Sequence, residues 1–190
     1  MGKKCASLIL TVCALASAAS AQTSLKRQGA FEILFGKYEI ADSRFAEVYE
    51  KGGTIRGIAL SSSLPADFDF YAEIREFDRK GSLTFTQETS NLVLVPLTLG
   101  LRYILPGSVL LPYAGGGADF YFYYENNPIA TTMNIVSGYH VLAGLYLQFG
   151  KNSPLRLNGR IKFTRAKARE GEIEVELGGL EYGGGISIAF

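Results

Sequence analysis

From residue 30 onward, apolar and polar side chains alternate with period two, the mark of β-strands whose two faces meet different surroundings. In 155–164, Leu155, Leu157, Gly159, Ile161 and Phe163 alternate with Arg156, Asn158, Arg160, Lys162 and Thr164. Segment 138–149 sets Tyr139, Val141, Ala143, Leu145, Leu147 and Phe149 against Gly138, His140, Leu142, Gly144, Tyr146 and Gln148. In 92–105 the apolar set is Val93, Val95, Leu97, Leu99, Leu101 and Tyr103, opposite Pro96, Thr98, Gly100 and Arg102. Segment 67–76 opposes Phe68, Phe70, Ala72 and Ile74 to Asp69, Tyr71, Glu73 and Arg75. The final segment alternates Tyr182, Gly184, Ile186, Ile188 and Phe190 with Gly183, Gly185, Ser187 and Ala189.

Three segments are less regular. Residues 30–40 place Phe31, Ile33 and Phe35 opposite Glu32, Leu34, Gly36 and Tyr38. Segment 54–64 is ambiguous in phase, with Ile58, Leu60 and Leu64 marking an apolar side. Segment 111–124 is likewise ambiguous in phase, with Asp119 favouring a polar face of Tyr113, Gly115, Gly117, Tyr121 and Tyr123. Eight strands result, and a single short helical turn is expected at 43–51, capped by Ser43. Short connections at 63–66, 105–111 and 150–154 alternate with long ones at 41–53, 78–91, 125–136 and 165–176. Eight antiparallel strands so joined have tight turns at one rim and long loops at the other, as outer-membrane barrels do.

The N-terminus narrows the compartment. Lys3 and Lys4, the apolar run 5–16 and Ala19-Ser20-Ala21 read as a signal peptide over 1–21, cleaved between Ala21 and Gln22. A lipoprotein signal ending at Cys13 is the rival, although Val12 is larger than the small residue such a signal places there. Both cysteines, Cys5 and Cys13, lie in this leader, so residues 22–190 form a domain without disulfide, thiol nucleophile or Cys-ligated metal. Losing Lys3 and Lys4 leaves 17 basic against 18 acidic residues, which offers no basic stripe for nucleic acid.

The polar face carries Glu32, Asp69, Glu73, Asp119 and Glu181 together with Arg75, Arg102, Arg156, Arg160 and Lys162. Five charges of each sign suit a narrow, ion-paired lumen, where an unpaired charge costs several kcal/mol. The other face then meets lipid, and Tyr103, Phe149, Phe163, Tyr182 and Phe190 near strand ends suit its aromatic girdles. A soluble sandwich shows similar alternation; the leader, the loop asymmetry and the absence of cysteine favour the membrane barrel.

The stretches VPLTLGLRY at 95–103 and PYAGGGADF at 112–120 resemble the middle hairpin of small outer-membrane β-barrel proteins of the OmpA/OmpW-like, porin-family type. LGGLEYGGGISIAF at 177–190 resembles their closing strand. The resemblance spans about 28–190 and implies an eight-stranded antiparallel up-and-down barrel in the outer membrane of a Gram-negative bacterium. It implies that the terminal aromatic, Phe190, with Ile188, Ile186 and Tyr182 in phase, is read by the barrel assembly machinery. The implied surroundings are outer-membrane lipid and lipopolysaccharide, and the expected state is a monomer.

Candidate chemistry is sparse. His140, the one histidine, is expected near the outer end of its strand on the lumen side, hydrogen-bonded among charges. A general base or metal ligand is the rival reading, and a Ser137/His140 pair serving a lipid deacylase faces the wrong way for lipid. Neither Gly115-Gly116-Gly117 nor Gly183-Gly184-Gly185 is followed by Lys-Ser/Thr, so strand curvature explains them better than phosphate binding. The aromatics at 121–124 suit a packed lumen or girdle before a ligand stack, and 165–176 suits a solvated hairpin. No cofactor, metal or catalysis is expected. The leading role is structural or surface-interacting, with a narrow channel or binding barrel for small or hydrophobic molecules as the alternative.

Overall fold

The computed structural model describes residues 28–43, 49, 52–82, 89–126, 131–150, 153–170 and 173–190. The leader, with Ala21 and Gln22, lies outside them. Alternation becomes one closed antiparallel sheet of β1 (Gly29–Ile40), β2 (Gly52–Ser63), β3 (Phe68–Ser82), β4 (Thr89–Ile104), β5 (Leu110–Asn126), β6 (Thr131–Gln148), β7 (Leu155–Glu170), β8 (Ile173–Glu176) and β9 (Gly179–Ala189). From β1 to β8 each strand pairs with its sequence neighbour, β9 pairs with β7, and β1 closes against β9. The segments β8 and β9 make one barrel strand, since Lys167↔Glu176 and Phe163↔Leu180 share a register on β7. At the break between them, the Leu177 and Gly178 amides both donate to the Ala166 carbonyl, and the Leu177 carbonyl accepts the Tyr38 hydroxyl. Eight barrel strands result, as the alternation predicts.

Following Cα partners once round from Gly29, through Ser62, Phe70, Leu101, Gly116, Val141, Phe163 and Leu180, returns to β1 at Glu39, ten residues further on. That stagger tilts the strands by about 40° and sets a backbone radius of about 8 Å, room for side chains and little else. Pro96 has no N–H to give, and the β3–β4 ladder lapses beside it, between the pairs Ile74↔Leu97 and Phe77↔Leu94. The turn from β2 to β3 holds Ala66 and Asp67 at φ of 58° and 60°, a left-handed conformation that alanine adopts at a cost.

Both ambiguous segments take the phase that the sequence suggests: Ile58 and Leu60 face out, and Asp119 faces in with Tyr113, Tyr121 and Tyr123. The connections differ from expectation. Most of 78–91, 125–136 and 165–176 is strand rather than loop. A ladder does not need lipid to persist: where the apolar band stops on β3 and β7, Glu76, Asp78, Lys80, Arg165 and Lys167 take the outward positions and pairing continues. The rim asymmetry therefore exists as protruding hairpins. The turn expected at 43–51 falls mostly outside the described residues; Ser43 and Tyr49, its described members, are helical.

The exterior band is uneven. On β1 and β2 it is short, Phe31, Ile33 and Phe35 giving way to Lys37, and Leu60 and Ile58 giving way to Arg56. On β5 and β6 it runs almost to the tips, through Phe122 and Tyr124 and through Ile135 to Met133, which is 75% exposed.

Candidate functional site

The lumen gathers the residue types that carry chemistry, and it is filled in three tiers. Nearest the rim that holds Gln28 and Phe190, Arg102 is clasped by rings: its guanidinium carbon lies 5.3 Å from the Tyr71 centroid, 5.5 Å from Tyr113 and 5.3 Å from Tyr146. It also pairs with Glu32 at 2.9 Å and Asp69 at 3.5 Å. Glu32 is satisfied further by the Tyr146 hydroxyl at 2.7 Å and the Asn158 amide at 2.8 Å, and Tyr113 donates to Asn158 at 2.6 Å. Tyr113 reaches across because residue 144 is glycine: a Cβ there would lie 2.4 Å from the Tyr113 hydroxyl.

The middle tier is ionic. Arg160 donates through both terminal nitrogens to Glu73, with Nη2 at 2.8 Å from Oε2, and reaches Glu181 at 3.1 Å. Arg75 donates to the same Glu181 oxygen. Beside them Lys162 lies 2.9 Å from Asp119 and 2.7 Å from the Thr98 hydroxyl, which itself donates to Asp119. The other Asp119 oxygen is 2.9 Å from His140 Nδ1, and His140 Nε2 meets the Tyr71 hydroxyl. A neutral imidazole satisfies both partners, giving Nδ1–H to the carboxylate and accepting from the tyrosine.

Above this tier the lumen is apolar. Tyr38, Ile55, Phe77, Leu92, Leu94, Tyr121 and Val136 form a buried cluster, with Phe77 edge-on to Tyr38 at 5.6 Å. Tyr49, from the β1–β2 connection, joins it with its hydroxyl on Ser90.

Nine of the ten charges expected in the lumen are buried there: Glu32, Asp69, Glu73, Arg75, Arg102, Asp119, Arg160, Lys162 and Glu181. Arg156 instead stands at the rim, its Nε on Gln148 at 3.2 Å and its guanidinium 5.7 Å from the Tyr146 ring. His140 lies inward as expected, but at mid-barrel rather than near the outer end, because β6 starts at Thr131. Its side chain has no exposure, and Ser137 does not face it across the lumen, being outward in the alternation. The tyrosine clasp and the apolar tier are additions that charge counting missed. Among the described residues no three His, Cys, Asp or Glu side chains converge to hold a metal ion.

Outside, the pattern inverts: Phe35, Phe70, Ile74, Leu101, Val141, Ile161 and Ile188 are all 43% exposed or more. Such a surface is solvated by hydrocarbon, and closure leaves no strand edge unpaired in it. Comparison with solved structures agrees. The outer membrane protein OprG of Pseudomonas aeruginosa superposes with a TM-score of 0.66 over 89% of this chain and 99% of its own, at 14% identity. The fold is that of the small outer-membrane β-barrels. Neisserial surface protein A matches over 85% of this chain and 97% of its own, with a TM-score of 0.58 and 13% identity. The N-terminal barrel domain of Pseudomonas aeruginosa OprF matches over 86% and 98%, with a TM-score of 0.53 and 18% identity. No family model matches the chain, and no curated protein matches its sequence. In outer-membrane barrels the rim of short turns faces the periplasm, which places the tyrosine clasp at the periplasmic end and the apolar tier at the extracellular end.

Proposed function

We propose that this protein is a sealed outer-membrane barrel whose role is structural or surface-interacting, with no catalysis. The carrying observation is the mutual pairing of the middle tier: Glu73, Glu181, Arg75 and Arg160 are bonded to one another, and Arg75 Nε is the one buried nitrogen of the two guanidiniums without a partner. A channel would need those groups solvated and would need ions to pass the buried cluster of Tyr38, Phe77 and Leu94 above them. The surface available to a partner is then the set of hairpins that protrude past the lipid band, β3–β4 and β7–β8 among them.

Single-channel recording of the purified protein in a planar bilayer tests this reading. Folded barrel, verified by its heat-modifiable gel mobility, gives no discrete current steps. Reproducible steps whose ion selectivity changes with Glu73→Gln would refute sealing and assign a transport role.

A further inference from the structure

The outer wall of β4, β5 and β6 carries apolar side chains at a height where hydrocarbon no longer solvates them. On strands inclined by about 40°, a hydrocarbon band about 25 Å tall is crossed in about ten residues. On β6 that takes the outward column from Leu147 to Ser137, where Tyr139 and the Ser137 hydroxyl mark the passage into the polar layer. Beyond Ser137 the column turns apolar again, with Ile135 56% and Met133 75% exposed. Cross-strand pairing sets Phe122 beside Ile135 and Tyr124 beside Met133, and on the other side Val95 beside Phe122 and Val93 beside Tyr124. Six apolar side chains thus form two adjacent rows of three on the outside of the protruding sheet.

We infer that this patch joins two copies of the chain about a twofold axis normal to the membrane, in place of the monomer that the family resemblance implies. A contiguous apolar surface in a hydrated layer is a contact surface, and its chemistry and geometry fit a second copy. Insertion gives every copy the same orientation in the membrane, so all copies hold the patch at one height. A twofold contact sets the same surface against itself, and a charged patch would repel its own image. None of the six is charged, whereas outward positions on the other flanks include Lys37 on β1, Arg56 on β2, Asp78 on β3 and Arg165 on β7. Two facing walls whose strands each incline by about 40° cross at about 80°, close to the orthogonal class of sheet packing. The central strand, with Phe122 and Tyr124, then lies on the axis. Two convex walls so placed cover about 400 Å² on each copy, half of a standard interface. Copies already aligned in one membrane plane need less area than proteins in solution, because their effective concentration is high.

The test is cross-linking in intact outer membranes, with the full chain at low expression. Residues 22–190 hold no cysteine, and the parent chain sets the background. Under oxidation, Tyr124→Cys gives about ten-fold more disulfide-linked dimer than Lys37→Cys or Arg165→Cys on the other flanks. Ile135→Glu, added to Tyr124→Cys, lowers that yield several-fold by setting like charges across the axis, while Ile135→Leu leaves it unchanged. Folding of each variant is verified by heat-modifiable gel mobility, and Met133→Glu takes the place of Ile135→Glu if the latter does not fold. Equal yields from the three cysteine sites overturn the inference, reducing the contact to random collision. A Tyr124→Cys product whose mass is not twice that of the chain overturns the second copy as the occupant, and a yield that the glutamate leaves unchanged overturns the patch as its cause. None of these readouts depends on whether the lumen conducts.

Discussion

Arg160 is the residue on which the middle tier turns, and replacing it gives the sharpest test of the lumen description. Its guanidinium holds Glu73 and Glu181, with side-chain exposures of 2%, 1% and 4% for the three. Arg160→Met keeps the volume and removes the charge, so Arg75 is left to answer two buried carboxylates. Breaking a buried pair from one side costs about 3–5 kcal/mol, a drop of roughly two to three and a half powers of ten in the folding equilibrium. Adding Glu73→Gln restores one charge of each sign, Arg75 against Glu181, and should recover more than half of the loss. The chain contains no Trp, so the folded fraction in a urea titration in lipid vesicles is best read by gel mobility, with tyrosine circular dichroism as a second probe. A midpoint for Arg160→Met equal to that of the parent would refute the ionic tier, as would a double variant no more stable than the single.

Other outcomes follow from particular contacts. Arg102→Lys keeps the charge but gives up the planar face between Tyr71, Tyr113 and Tyr146, and should cost about 1–3 kcal/mol in the same titration. Ala66→Gly relieves a left-handed alanine at φ 58° and should stabilise by about 0.5–1 kcal/mol, the conformational gain exceeding the chain entropy that glycine adds. His140→Ala strips a partner from both Asp119 and Tyr71 and should lower stability by about 1–3 kcal/mol while leaving the lipid composition of the outer membrane unchanged; an altered acylation pattern would revive an enzymatic role. Phe77→Ala opens the extracellular tier and should cost about 3–5 kcal/mol, detectable as a lower urea midpoint.

Strand number and inward phase were legible because a membrane barrel must alternate along every strand, and one charged residue such as Asp119 is enough to fix a whole segment. The lumen charges could be named for the same reason, since Glu73, Arg75 and Lys162 all stand on the polar phase of clear strands. Which of them meet was not legible: Glu73 and Arg160 are 87 residues apart, and only barrel closure with its ten-residue stagger brings them to one level. Arg156 shares a strand and a phase with Arg160 yet ends at the rim, because depth along the axis depends on register rather than on period. The apolar tier was missed for a simpler reason. Strand extensions past the lipid band keep alternating, but the inward Phe77, Leu92 and Leu94 are apolar where a charged lumen is expected, so the polar face of 92–105 starts only at Pro96 and 78–91 reads as a long connection. Their signal was present in the unbroken inward phase from Arg75 to Phe77 and from Thr98 back to Leu92.

The uneven outer band has a mechanical consequence. With strands inclined by about 40°, each residue climbs about 2.5 Å along the axis. The column from Leu110 to Tyr124 on β5 therefore presents about 35 Å of hydrocarbon-compatible wall, against about 10 Å between Phe31 and Phe35 on β1. A bilayer that suits barrels near 25 Å thick is too thin for one flank and too thick for the other. Such a mismatch is met by leaning, by local compression of the lipid, or by both. The molecule thus behaves as a wedge, thinning the leaflet beside Lys37 and Arg56 and thickening it around Ile135 and Met133. Neighbouring barrels would sense those two flanks differently, which gives a round protein a preferred direction in the plane of the membrane.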